Sequence, residues 1–487
     1  MRFPIFIAIA LLLSIFAAQE SPLKEGLLWV GSDDGLIHIT QNGGQTWQNV
    51  TPKGMPEWMM INSVEPSAFD AGTCYVAGTK YKTGDFSPYL YKTIDYGKSW
   101  SKITNGINSE HFTRVVREDP KRKGLLYAGT ETGMHISFND GKNWKPFQLN
   151  LPIVPITDLA IKDNNLIVAT QGRSLWIIDD LTVIHQLDGI NQDDNILFKP
   201  KDTYRMRGGS KAGSKTTGTN HPNGVITYFN LKDYNEKEDE VSLTYFDIKG
   251  DTIQSFSTKN KKENKLKIEK GSNQFVWDMT YKGAERLKGM ILWWASLNGP
   301  KAVPGTYKVS LNVNGETKSQ PFTILADPRA ESTQADMQSQ FNFIKDVNKT
   351  MDDAHKSIKK IRNINKQLTA FETQYKDNES VKDLIEKAKE LKKQFTEIEE
   401  ALYQTKNKSG QDPLNFPIRL TNKLGHLNSL VRMGDFAPTE QDIAVKDELT
   451  QKIKIQLTNF NALLSDEIKV FNTAFNSKSL NYLFVED

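Results

Sequence analysis

Three acidic side chains stand where a pair of carboxylates could do chemistry. Asp33 and Asp34 precede Gly35, and Glu131 lies in the similar segment Thr130–Gly133. We expect both segments to follow innermost strands of their sheets. Two carboxyl groups about 5 to 10 Å apart across a sugar can hydrolyse a glycosidic bond. Acidic residues before glycine are also typical of β-turns, and we favour that interpretation.

Candidate ligand-binding residues lie further along the chain. Trp293 and Trp294 could offer flat faces on which sugar rings stack. The alternative, which we favour, is a buried strand over residues 290–294, with one indole inward and the other at a domain junction. Arg173 is the third candidate. The arginines of the strand-rich region do not recur at matching places, so a sialidase-type arginine triad is not indicated.

Composition excludes several classes of function. The 487 residues carry 62 Lys+Arg against 59 Asp+Glu, and a net charge of +3 gives no basic field for nucleic acid. One cysteine, Cys74, forms no intramolecular disulfide, and seven scattered histidines give no zinc pattern. We therefore expect no structural metal and no cofactor, and no phosphate-binding or nucleophile-elbow motif stands out.

Three segments share the pattern Ser/Thr-x-Asp/Asn-x-Gly-x-x-Trp, and we call them box 1 (Thr40–Trp47), box 2 (Thr93–Trp100) and box 3 (Ser137–Trp144). A small acidic or amide side chain can close a tight turn, glycine permits a positive φ, and Trp opens the next strand as a hydrophobic peg. The predicted structural residues are Asn42, Gly44, Trp47, Asp95, Gly97, Trp100, Asn139, Gly141 and Trp144.

The spacing of the boxes, about 45 residues with several short strands each, is the period of a β-propeller blade. A last unit, residues 156–180, lacks the box. The first unit begins directly at its second strand, Leu27–Gly31, so residues 22–185 hold three to four blades. Most propellers have more. A closed small ring is the alternative, but we favour a partial β-propeller.

The rest of the chain changes from β to α. Short alternating strands, closed by a hairpin turn at Asn314–Gly315, predict an immunoglobulin- or fibronectin-like β-sandwich over residues 195–326. Asp327–Arg329 is a linker. Apolar residues then recur with helical period and predict a four-helix bundle over residues 330–487 that folds alone. The fold class is multidomain, mainly β and then α.

The N-terminus indicates export. Arg2 precedes an uncharged apolar run, Phe3–Phe16, followed by small residues, which is typical of a secretory signal at residues 1–18. An uncleaved anchor is the alternative. We expect a mature protein without an integral membrane span, located in the periplasm, on the cell surface or outside the cell.

The box pattern resembles the Asp-box, or BNR, repeat of sialidases, xyloglucanases and sortilin-like propellers, with Asn42 and Asn139 where that motif prefers Asp. Blades, then a sandwich containing NQFVWDMTYKGAERLKGMILWWASLNGPKAVPGTYKV, then a helical bundle, is similar to a family of large exported bacterial proteins often labelled glycosyl hydrolase. The resemblance implies further blades upstream in the usual member, so this chain corresponds to its C-terminal part. It transfers no catalytic residue, because the box is structural.

These observations favour a binding or assembly protein over an enzyme. The ligand class is a peptide or a glycan, and a homo-oligomer or a second blade-containing chain is the expected protein partner. The alternative is a glycoside hydrolase whose carboxylate pair lies partly on missing blades.

Overall fold

A computed structural model of the chain describes residues 14–187, 194–206, 221–478 and 480. The chain divides into two compact units, residues 1–191 and residues 192–487. Residues 1–13 of the predicted signal peptide lie outside the described residues. Residues 15–18 belong to the first β-strand.

Four antiparallel sheets follow one another along the first unit, each built from strands that are consecutive in sequence. The strands are β1 Ile15–Glu20, β2 Leu28–Ser32, β3 Ile37–Thr40, β4 Gln48–Asn49; β5 Met60–Pro66, β6 Cys74–Lys80, β7 Asp85–Thr93, β8 Ser101–Lys102; β9 Thr113–Glu118, β10 Leu126–Thr130, β11 Gly133–Ser137, β12 Lys145–Pro146; and β13 Ile156–Lys162, β14 Asn165–Thr170, β15 Leu175–Ile178. A short helix, α1 Thr182–Gln186, follows the last strand.

The sheets stack face to face through apolar side chains. Trp29 and Ile39 of the first sheet share a buried cluster with Ile61 and Val76 of the second, and similar clusters join the second to the third and the third to the fourth. The first strands of neighbouring sheets, β1, β5, β9 and β13, contact one another in that order. Sheets stacked in this way are typical of propeller blades, and we number them blades 1 to 4.

Strand β1 corrects the sequence interpretation of blade 1. The sequence predicts that blade 1 begins at its second strand, Leu27–Gly31. In the structure Ala18 pairs with Val30 and Glu20 with Leu28, so residues 15–20 supply the missing first strand. Blade 1 therefore has four strands, and blade 4, which lacks a box, has three.

Two sheets and one buried cluster form the β part of the second unit. One sheet has three strands and the other five, in the orders β16-β18-β21 and β17-β23-β22-β19-β20. These strands are β16 Ile196–Leu197, β17 Thr203–Arg205, β18 Val225–Leu231, β19 Val241–Phe246, β20 Thr252–Ser257, β21 Gly271–Trp277, β22 Gly305–Val313 and β23 Glu316–Ala326. Trp277, Tyr245 and Phe322 fill the cluster between the sheets. The hairpin turn has Asn314 and Gly315 at positive φ, as the sequence predicts.

Five helices follow: α2 Gln334–Gln374, α3 Lys382–Leu402, α4 Leu420–Val431, α5 Glu440–Ala462 and α6 Ile468–Ser477. Thr333 and Thr439 each close a capping box with the aspartate three residues later, which fixes where α2 and α5 begin. Apolar side chains from these helices form one core. No helix among the described residues is long and apolar enough to cross a membrane.

An irregular segment, residues 284–300, crosses these helices, and we call it the strap. Leu287 and Met290 of the strap belong to the helical core. The predicted strand over residues 290–294 is wrong: these residues pair with helix side chains instead of another strand. The N–H of Trp293 donates to Asn422 Oδ1 at 2.7 Å, and Asn422 Nδ2 donates back to its carbonyl at 2.9 Å.

Candidate functional site

The boxes close the turns between the third and fourth strands of blades 1 to 3. In box 2 the N–H of Ser99 donates to Asp95 Oδ1 at 2.9 Å, and the N–H of Gly97 donates to Thr93 Oγ1 at 2.9 Å. In box 3 the corresponding acceptors are Asn139 Oδ1 at 2.9 Å and Ser137 Oγ at 3.0 Å, and in box 1 they are Asn42 Oδ1 and Thr40 Oγ1, both at 3.0 Å. The Asp or Asn side chain of each box thus makes its hydrogen bonds within its own turn.

Two box tryptophans also join neighbouring blades. Trp100 donates its indole N–H to the carbonyl of Val50 at 2.7 Å, and Trp144 donates to that of Ile103 at 2.7 Å. Each acceptor directly follows the outer strand of the preceding blade. Trp47 of box 1 has 44% of its surface exposed and makes no such bond to a described residue. The boxes therefore support the architecture and supply no catalytic group.

The candidate carboxylates follow second strands, not innermost strands as expected. Asp33 comes after β2 and Glu131 after β10. The N–H of Asp33 donates to the carbonyl of Ser14 at 3.1 Å, and that of Glu131 to Phe112 at 3.1 Å. Both acceptors directly precede an innermost strand. The turns between second and third strands therefore lie at the end of each blade where the innermost strand begins.

Arg173 lies at the same end of its blade, where the innermost strand begins. In blade 4 the N–H of Gln171 donates to the carbonyl of Pro155, which directly precedes β13, at 2.9 Å. Arg173 follows two residues later, with its side chain exposed and NH1 on the carbonyl of Gly172. Asp33, Glu131 and Arg173 thus occupy equivalent turns in three blades. Among the described residues, no hydrogen bond or ion pair joins any two of them.

The four innermost strands line a groove of about 330 Å³, which we call the inner-strand groove. Its lining includes Gln19 of β1, Asn62 of β5, Arg114 of β9 and Thr157 of β13. Because each innermost strand contributes, the four strands face a common space. Most of the lining side chains can donate or accept hydrogen bonds.

Arg117 is the most firmly held cation of the groove. Its guanidinium donates to Ser63 Oγ at 2.6 Å, to Asp158 Oδ1 at 2.8 Å and to the carbonyl of Leu159 at 2.9 Å. These partners lie on blades 2 and 4, so Arg117 ties three blades together at the groove. Asp158 remains largely exposed and keeps acceptor capacity for a ligand.

A group of aromatic and charged side chains surrounds Arg114, which lines the groove, and we call it the Arg114 cluster: Tyr81, Phe86, Phe112, Arg114 and Glu131. Arg114 forms an ion pair with Glu131 at 2.7 Å, and its guanidinium carbon lies 5.2 Å from the ring centre of Phe112. Tyr81 stacks on Phe112 at 4.9 Å. Phe86 has 52% of its surface exposed.

Sequence reasoning missed most of this cluster. Tyr81 and Phe86 lie around the turn between β6 and β7 of blade 2, the position that Asp33 and Glu131 occupy in their blades. Aligning the repeats by turn instead of by motif would have placed all of them at one end. The acidic residues can be recognised in the sequence by their chemistry, whereas the aromatic residues share with them only a position at one end of the blades.

The tryptophan candidates form a stacked pair in the second unit, in which Trp293 is half-buried and Trp294 is exposed. Trp294 has 73% of its surface exposed, and its ring lies 6.4 Å from that of Trp293 at an angle of 22°. Neighbouring strap residues are held by helix α4, where His426 Nδ1 lies 2.9 Å from the carbonyl of Trp294. The pair is anchored through its backbone and offers a flat apolar face.

Asp34 and the remaining acidic groups do not build a second centre. Asp34 accepts from Ser32 within its turn, and Asp33 accepts from the N–H of Ser14 at 2.9 Å. The second unit has a cleft of about 890 Å³, where Asp278 and Asp352 alternate with lysines, so neither charge dominates. No cluster of His, Cys, Asp and Glu within the described ranges could hold a metal ion.

Comparisons with known proteins give distant similarities. No family model matches the chain. It is 26% identical over 113 residues to an oligoxyloglucan-reducing end-specific xyloglucanase of Emericella nidulans, covering 22% of this chain and 13% of that protein. Two similar structures are YCF48 bound to D1 peptide (21% identity, TM-score 0.27, 34% of this chain and 51% of that one) and a GH74 xyloglucanase of Xanthomonas campestris (14%, 0.27, 42% and 31%). The chain thus spans well under two thirds of each of these proteins.

Proposed function

We propose that the protein is an exported glycan-binding protein whose ligand lies in the inner-strand groove and against the Arg114 cluster. The observation that carries the proposal is that Arg114 lines a polar groove and also belongs to a cluster with exposed Phe86 and with Glu131. Sugars present hydroxyl groups at their edges and C–H groups on their faces. A recognition site for them needs both polar and aromatic side chains.

The described side chains supply both kinds of contact. Asn62 and Thr157 line the groove and can donate to and accept from hydroxyl groups. Asp158 is fixed by Arg117, so it meets a ligand with little further loss of conformational freedom. Exposed Phe86, whose ring centre lies 6.1 Å from that of buried Phe112, gives an aromatic face beside them. The similarity to a xyloglucan-degrading enzyme supports a β-glucan ligand over a peptide.

The test is glycan-array screening of the purified protein, followed by calorimetric titration with xyloglucan oligosaccharides. Phe86→Ala should weaken binding at least tenfold, because an exposed contact face is lost while the core is unchanged. The matched control is Ile94→Ala in the same blade, since Ile94 is 63% exposed but lies in box 2, at the opposite end. Equal affinities for the two variants, or binding of peptides without glycans, would contradict the proposal.

Glycoside hydrolysis is the second candidate function. Its support is the named activity of the similar xyloglucanase and two carboxylates near the groove, Glu131 and Asp158. Both already accept from an arginine in this structure, Glu131 from Arg114 and Asp158 from Arg117. Hydrolysis needs a carboxyl group that delivers a proton to the leaving oxygen. Release of reducing ends that Glu131→Gln or Asp158→Asn abolishes, with glycan binding retained, would establish the enzyme.

A further inference from the structure

Blades 1 to 4 form a stack, which we call the blade sector. Its two end faces resemble the faces that are buried between neighbouring blades. In all four blades a β-bulge interrupts the pairing of the first two strands. Aligning the blades on this bulge makes Trp29, Tyr75, Tyr127 and Ile167 equivalent. The first three are fully buried against the following blade. We call the surface that points toward the following blade the leading face and the opposite one the trailing face.

The leading face of blade 4 is apolar and open. Ile167, equivalent to those buried aromatic residues, is only half-buried. Beside it on β15, Leu175 has 71% and Ile177 54% of their surface exposed. Ile177 pairs with Ile167, which places both side chains on the same face. Large aliphatic side chains grouped in this way mark an interaction surface.

The trailing face of blade 1 lacks a contact that blades 2 and 3 each make with the blade before them. A Cβ added at Gly97 would meet Val50 Cβ at 2.6 Å, and one at Gly141 would meet Ile103 Cδ1 at 2.6 Å, so each box glycine seats an aliphatic side chain of the preceding blade. A Cβ at Gly44 would meet only the indole of Trp47 in its own box. Box 1 is thus a socket that no described residue fills.

We propose that two copies of the chain close one ring, with the leading face of blade 4 in each copy packed on the trailing face of blade 1 in the other. The occupant is a second copy because this chain carries both an aliphatic leading face on blade 4 and an unfilled socket on blade 1. Blade 4 has no fourth strand among the described residues, so Leu175 and Ile177 of β15 take the place that Val50 and Ile103 have at the other junctions. Four blades from each copy give eight, a number at which propellers close. The same contact made twice closes under a twofold axis and leaves no end for further growth.

Charge at the inner strands agrees with this pairing. Glu20 lies on the trailing face of blade 1, beside Leu28, and is exposed. Lys162 lies at the corresponding end of β13, on the leading face of blade 4, where it is exposed and its Nζ lies 3.8 Å from Asp163 Oδ1. The proposed junction sets opposite charges near each other at the end of the innermost strands. The ring would also place two inner-strand grooves around one central space.

Light scattering of the full chain tests the proposal. We expect a mass about twice the 55.2 kDa of one chain at micromolar concentration. Leu175→Asp with Ile177→Asp should give a monomer, and so should Trp47→Glu on the other face. Ile94→Asp, an exposed isoleucine of box 2 on neither end face, should remain a dimer. Circular dichroism and thermal melting of each variant separate dissociation from unfolding.

Mixing the two monomeric variants distinguishes the proposed contact, between a leading face and a trailing face, from a contact between two identical faces. One junction of the mixed pair combines the intact leading face of one variant with the intact trailing face of the other, so a weaker heterodimer should form. A wild-type chain that stays monomeric at tens of micromolar would overturn the proposal. A dimer that survives Trp47→Glu, or variants that remain monomeric when mixed, would show that other surfaces make the contact.

Discussion

The carboxylate of Glu65 lies 3.6 Å from the guanidinium of Arg117, across the junction of blades 2 and 3. Burial raises the pKa of Glu65 to about 7, even though Arg117 and the N–H of Glu118 act to lower it. The ordinary value is about 4.5. In the folded blade sector, Glu65 therefore keeps its proton at pH values where it would lose it in the unfolded chain.

This raised pKa gives a pH-dependent stability. A folded-state pKa above the unfolded value contributes stability that is present below about pH 4.5 and lost as the pH rises through about 7. We expect the blade sector to melt at a lower temperature at pH 8 than at pH 6. Glu65→Gln should remove much of that difference, and the exposed Glu25→Gln should leave it unchanged. Parallel slopes for all three proteins would contradict the assignment.

The box tryptophans should differ in their contribution to stability. Trp144→Phe removes a buried hydrogen bond between blades and some packing volume, and we expect a loss of about 1 to 3 kcal/mol. Trp47→Phe changes an exposed ring and should stay within about 0.5 kcal/mol in the monomeric chain. Urea denaturation of both variants, in the background that carries Leu175→Asp and Ile177→Asp, makes the comparison. Equal losses would show that the interblade bond is not the cause.

Asp95 should be replaceable by asparagine but not by alanine. Hydrogen bonds from the hydroxyl and N–H of Ser99 lower the pKa of Asp95 to about 2. A lowered pKa contributes stability above about pH 4 that is lost as the pH falls toward 2. Asn42 and Asn139 hold the same turn in the other boxes. Asp95→Asn should thus match the wild type near pH 7 and lose less on acidification.

For Asp95→Ala the melting temperature should be lower at every pH above about 4, because the turn loses its acceptor. Glycan affinity of the folded protein should not change, since box 2 lies at the end opposite the Arg114 cluster. A variant that melts like the wild type but no longer binds would show that Asp95 belongs to the binding site.

The helical fragment 330–487 should fold, but with reduced stability. The structure adds Leu287 and Met290 of the strap to its core, and Asn348 and Asn428 of the helices donate to strap carbonyls. Without the strap these amides and apolar surfaces face water. We expect a helical circular dichroism spectrum for residues 330–487 and a clearly higher melting temperature for residues 192–487. A disordered fragment, or equal melting, would contradict this reasoning.

Local signals made the boxes and the helices predictable from the sequence. A box closes its hydrogen bonds within eight residues, so residue types at fixed spacing determine the turn. The hairpin at Asn314–Gly315 and the capping boxes at Thr333 and Thr439 are equally local. Each of these features depends on neighbours along the chain.

Features that depend on distant partners were missed or misassigned. The first strand of blade 1 was missed, because residues 15–20 are recognisable as a strand only once β2 is placed beside them. The strap has no periodic pattern, because helix side chains such as Asn422 satisfy its backbone. The Arg114 cluster joins residues from three separate turns of blades 2 and 3, and only the stacking of blades brings them together.

The two ends of each blade carry separate tasks, and this separation bears on how such chains can diversify. One end holds the boxes, which bind their own turn and seat the neighbouring unit. The other end holds the turns from which Phe86 and Glu131 project. Duplication of one unit of about 45 residues would change the number of blades without altering the proposed recognition turns of blades 2 and 3. Substitutions in those turns could change specificity without weakening the stack, so architecture and recognition can evolve independently.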